Sequence, residues 1–188
     1  MSGPIKVGYV LPPAVEALKQ GWLSTFQSAA TVSGLLAAVE AQLLVFFKAS
    51  DTFNAGTNEG HIQAVVGLTY AGLLLSISAT IGALILTDEF TALPTRAARK
   101  STDLEALQNT KFMGPITLLL KTHGLRSSVS LIIYHWLISL VAAAICTTIK
   151  LSIYVISQEA IALKVSVLCM GIFTVLPLLY LVVPCSGR

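Results

Sequence analysis

The chain has 188 residues, 55% of them hydrophobic and 11% charged, with a formal charge of +3. Soluble domains carry about 25% charged residues and rarely hold apolar runs of twenty or more. That balance excludes an ordinary soluble enzyme and leaves no room for a separate catalytic domain beside the apolar segments. The length allows one domain, and the composition predicts an all-α polytopic membrane protein.

Residues 1–21 hold Pro4, Pro12 and Pro13 and no apolar core. They do not read as a signal peptide, so the first span is expected to act as its own insertion signal. Four apolar stretches follow, at about 25–47, 62–87, 129–149 and 161–183. Each is near the ~20 residues that cross a bilayer as a helix. The expected fold is a four-helix transmembrane up-down bundle formed by one domain, 1–188.

The first span is expected to leave the membrane at Phe46-Phe47-Lys48, an aromatic pair followed by a lysine. The link 48–61 is polar and reads as irregular. The second span carries no charge; Asp88-Glu89 mark its exit, and Pro94 is expected to stop the helix. The loop 88–128 is long for a bundle. Ser101-Thr102-Asp103 can cap a short helix bearing Leu104, Leu107 and Phe112, and Ile116–Leu125 reads as an amphipathic segment in the headgroup plane. The third span opens at Tyr134-His135-Trp136 and can run past Lys150, because Leu151–Ile156 is again apolar; Lys150 is then expected to snorkel outward. The fourth span holds Pro177, which predicts a kink, with Thr174 three residues earlier able to bond a freed carbonyl. Trp22, Trp136 and Tyr180 are expected at the cytosolic face.

Charge placement predicts orientation. With four spans, Lys6, Lys19, Arg96, Arg99, Lys100, Lys111, Lys121, Arg126 and Arg188 share one side, and Lys48, Lys150 and Lys164 the other. Both termini and the 88–128 loop are therefore expected in the cytosol. The basic stretch 96–126 reads as a surface for anionic lipid headgroups, and nucleic acid is not expected as a partner.

Helices in lipid associate through close packing and polar contacts, so small residues at four-residue spacing mark packing faces. Thr25, Ala29, Ser33, Ala37 and Ala41 form such a row. Gly67 and Ala71, then Gly72, Ser76 and Thr80, and then Ser139, Ala143 and Thr147 form others. Such rows serve packing within the chain or a homo-oligomer interface.

Glu40 is the acidic residue nearest the middle of a span, and it shares the face of Ala29 and Ser33. A carboxylate in that position suggests function by default. Two readings stand. Glu40 can pair with Lys164 of the fourth span as a structural clamp, or snorkel to the outer interface. Alternatively it is a proton or cation site of a small transporter or channel subunit that works as an oligomer. Gln42 lies on the opposite face. His61, His123 and His135 are scattered, there is no Cys-x-x-Cys, and no histidine pair has metal-ligand spacing. No metal or cofactor is expected, and no nucleophile–base arrangement points to an enzyme.

Cys146 and Cys169 read as small core residues. Cys185, just after the fourth span, suits reversible lipidation by palmitate; its C-terminal Cys-Ser-Gly-Arg context does not suit prenylation. Arg96-Ala-Ala-Arg-Lys-Ser-Thr102 fits a basic-directed kinase, making Ser101 and Thr102 candidate phosphorylation sites that would weaken attraction to anionic lipid.

The segment Leu68–Thr80, the Leu86-Thr-Asp-Glu-Phe90 exit and the Tyr134-His-Trp136 entry resemble uncharacterised four-span membrane proteins of mushroom-forming fungi. The resemblance implies topology and a fungal source, and no residue role. The expected role is a non-enzymatic scaffold or accessory subunit.

Overall fold

The computed structural model describes residues 12–49, 52–53, 56–99 and 128–182; the side chains of residues 99, 162, 168 and 174–182 are not described. The described residues are helical, with no strand among them. The helices are α1 (Pro13–Lys48), α2 (Glu59–Thr91), α3 (Leu93–Arg99), α4 (Val129–Gln158) and α5 (Ile161–Val182). Three of them, α1, α4 and α2 with its continuation, are long and apolar enough to cross a membrane. The candidate sites Ser101, Thr102 and Cys185, the 104–125 segment and His123 lie outside the described residues.

Local chemistry sets the boundaries. Pro13 opens α1 at the position where a missing N–H costs nothing, and the Pro12 carbonyl accepts from Val15 and Glu16. In the next turn Lys19 and Gln20 donate to Glu16, at 3.0 and 2.9 Å. These bonds hold the Glu16 carboxyl below its ordinary range, Lys19 contributing most. Asn58 caps α2, its side-chain oxygen accepting from the Gly60 N–H at 2.9 Å. Gly56 takes a positive φ of 102° in the turn before it.

One expected boundary moves. Helix α2 continues through Asp88-Glu89 to Thr91 and ends ahead of Pro94, which itself lies in the first turn of a new helix. Pro94 is the second residue of α3, where its absent N–H breaks no bond. Arg96 then reaches back to both carboxylate oxygens of Glu89 and ties α3 to the end of α2.

The helices divide between two compact units, residues 1–32 with 79–136 and residues 33–78 with 137–188. The first unit has an apolar and aromatic core. Phe26 stacks on Trp22 at 5.4 Å between ring centroids and meets Phe90 and Trp136 edge-on at 5.4 and 5.3 Å. Ala79, Ala83, Leu86 and Leu93 are buried beside them. Trp136, expected as an interface anchor, is 6% exposed, packed so closely that a side chain on Gly82 would start 3.3 Å from its Cβ.

The second unit buries polar residues: Ser33, Glu40, Thr69, Ser76, Ser139 and Lys150. Phe46, Phe47, Phe53 and Tyr154 form an aromatic group where α1 ends, with neighbouring centroids 5.3 to 6.2 Å apart. Thr57 accepts from Gln158 at 2.9 Å, and His61 meets Ser157 at 3.3 Å. Lys48 donates to the Tyr70 hydroxyl at 2.7 Å. Cys146 is half-buried and Cys169 exposed, so neither is the core residue expected of it.

Candidate buried polar site

Burial on the long helices follows seven-residue rows. On α1 the row is Lys19, Phe26, Ser33, Glu40 and Phe47; on α4 it is Val129, Trp136, Ala143 and Lys150. On α2, Val65, Thr69, Gly72, Ser76, Ala79, Ala83, Leu86 and Phe90 alternate steps of four and three, and Leu93 at the start of α3 continues them. At about 100° per residue, seven residues return to within about 20° of the same face, whereas four advance by about 40°. The four-residue rows therefore wind off the buried face. Of the expected α1 row only Ser33 is buried, with Thr25 and Ala41 exposed. Gly72, Ser76, Ser139 and Ala143 are buried because they also lie on the steps of seven, or four and three.

That geometry brings Glu40 to Lys150. Both side chains are 0% exposed, and the Lys150 ammonium contacts Glu40 Oε2. Thr147, one turn before Lys150, donates to Glu40 Oε1. The Thr147 hydroxyl also lies 2.9 Å from the Ala143 carbonyl, which fixes its rotamer over the carboxylate. On α2, Gly72 supplies the space: a Cβ there would stand 3.1 Å from the carboxyl carbon and 3.1 and 3.2 Å from its oxygens. Close approach, and not backbone conformation, is what favours glycine at this position.

The expected partner was Lys164, and the structure pairs Glu40 with Lys150 instead. Lys164 sits half-buried near the start of α5. Lys150 does not snorkel outward, because its seven-residue row faces the interior. The signal was present in the sequence. Leu151–Ile156 extends the apolar run beyond Lys150, which places the lysine inside a helix and not at its end. Glu40 and Lys150 also lie eight residues before the ends of their helices, Lys48 and Gln158, at equal distances of about 12 Å.

Other sequence candidates fall elsewhere. Gln42 is exposed, on the face away from Glu40 as its spacing requires. His135 is exposed on α4, and His61 lies in the first turn of α2 beside Ser157. Thr148 on α4 and Gly171 on α5 make a second close approach, with a Cβ at Gly171 3.3 Å from Thr148 Cγ2.

Chemically, the site offers one carboxyl with both oxygens engaged, one amine and one hydroxyl, all enclosed. Compared with known proteins, the chain matches no family model, no curated protein and no solved structure.

Proposed function

We propose that this chain is a non-enzymatic four-span membrane protein, an up-down helical bundle that serves as a scaffold or accessory subunit. In this reading Glu40–Lys150 is the clamp that joins its first and third spans. The observation that carries the proposal is the engagement of both Glu40 carboxyl oxygens at zero exposure. A site that loads and releases ions needs an open valence and a way in; a clamp needs neither.

The distribution of side chains supports the membrane setting. Serine, threonine, glutamate and lysine are buried, while Leu35, Val45, Leu74, Leu131 and Ile138 are largely exposed. That is the arrangement lipid favours, since the solvent is as apolar as leucine. Helix α5, with 22 residues, has a length of about 33 Å and fits the ~30 Å hydrocarbon core as a fourth span. With Lys150 inside, the basic residues stand nine against two, Lys48 and Lys164. This bias supports cytosolic termini and a cytosolic 88–128 loop bearing the basic surface for anionic lipid. Homo-oligomers and other membrane proteins are the partner classes this role implies.

Charge reversal tests the clamp. Breaking a buried pair by changing one partner costs about 3–5 kcal/mol. E40K or K150E alone is expected to lower the unfolding temperature of the purified protein sharply, and the double variant E40K/K150E to recover most of the loss. Equal damage in the double variant would contradict the clamp. So would proton or cation flux in liposomes that E40Q abolishes without loss of folding.

A further inference from the structure

We infer that Glu40 and Lys150 form a one-proton site, a neutral carboxylic acid hydrogen-bonded to a neutral amine rather than a carboxylate beside an ammonium. The inference rests on the clamp proposed above and adds its chemical form. It follows from counting donors and acceptors around two side chains that have no accessible surface.

An ammonium presents three N–H donors. Among the described residues, Lys150 has one acceptor, Glu40 Oε2. With 0% exposure, no water-sized space touches the side chain. Among the described residues the ionised pair therefore leaves two charged donors buried without acceptors, and leaving a buried donor of a charged group unsatisfied is among the costliest arrangements. Moving one proton from Nζ to Oε2 removes this cost. One N–H bond breaks, one O–H bond forms, and no other atom changes. The new O–H donates to the amine lone pair. Thr147 still donates to the other oxygen, now a carbonyl. The two N–H groups left on Lys150 belong to a neutral amine, whose burial costs far less than that of a cation.

The neutral form also explains how a glutamate and a lysine lie fully buried together with Gly72 close against the carboxyl. Each separated charge inside a bilayer is costly, whereas an acid–amine pair carries none. The site thereby joins two helices through one strong hydrogen bond without holding a dipole of full charges in lipid.

Infrared difference spectroscopy on the whole protein in lipid, with isotope-labelled glutamate, tests this at neutral pH. The chain has five other glutamates, so loss of a protonated-carboxyl band in E40Q assigns it to Glu40. A protonated-carboxyl stretch that disappears in E40Q is expected. It should also disappear in K150R, because arginine stays charged and converts Glu40 to a carboxylate while keeping a partner for it. K150R thus decides the matter even if E40Q folds poorly. Only carboxylate bands in the wild type would overturn the inference. So would a protonated band that persists in K150R, since the proton would then not come from Lys150. Failure here is separable from failure of the clamp: an ionised clamp still recovers in E40K/K150E but shows no protonated band.

Discussion

At the scale of single residues, the site is governed by what each side chain leaves room for. Gly72 is the sharpest case, because a Cβ there would stand only 3.1 Å from the Glu40 carboxyl carbon. Gly72→Ala forces the carboxyl or the helix to shift, and is expected to cost about 1–3 kcal/mol, the range for overpacking a filled core. Gly67 is exposed with open space around it. Gly67→Ala is therefore expected to be neutral or to stabilise by up to about 1 kcal/mol through helix propensity. Thermal unfolding of both variants in the same detergent checks the contrast; equal effects would show that the carboxyl does not rest on Gly72. Sequence reasoning identified Glu40 because an acidic residue inside an apolar run has few explanations. The pairing with Lys164 fails because the snorkelling expected of Lys150 does not occur: its side chain is fully buried against Glu40. What decides its direction is the seven-residue row it shares with Val129, Trp136 and Ala143.

At the scale of the helix, the instructive difference is between four-residue and seven-residue rows. Small residues at spacing four describe a local contact, and they predicted Ser33, Gly72, Ser76 and Ala143 correctly where the two patterns coincide. Over a helix of 36 residues the four-residue row turns away, and Ala41 ends up exposed while Phe47 is buried. The row of sevens is legible in the sequence only once polar Ser33 and Glu40 are allowed onto the same face as Phe26 and Phe47. A hydrophobic stripe would never include them. Substitution separates the two descriptions. Ser33→Leu is expected to destabilise by about 1–3 kcal/mol through overpacking, whereas Ala41→Leu, facing outward, is expected to change stability by less than about 0.5 kcal/mol. Denaturant or thermal unfolding in lipid micelles measures both. The α2–α3 junction carries a related lesson. Helix α2 ends ahead of Pro94, yet proline one residue into a new helix is tolerated, so α3 follows at once and the Glu89–Arg96 pair holds the chain in that turn.

At the scale of the whole molecule, the helix content and three of the four expected apolar spans are legible in segment length and composition. The contents of the two units are not. One buries Phe26, Phe90 and Trp136, the other Glu40, Thr69, Ser76 and Lys150. Aromatic residues near span ends normally read as interface anchors, so their enclosure needed the three-dimensional packing to appear. The account as a whole stands on four spans with both ends in the cytosol, which puts Glu40 and Lys150 at one depth. Mapping with single engineered glycosylation acceptors tests that most directly, using sites at 54–58, in 101–110 and at the C-terminus. The account predicts modification at 54–58 alone. Modification of the 101–110 site, or of the C-terminus, would contradict it.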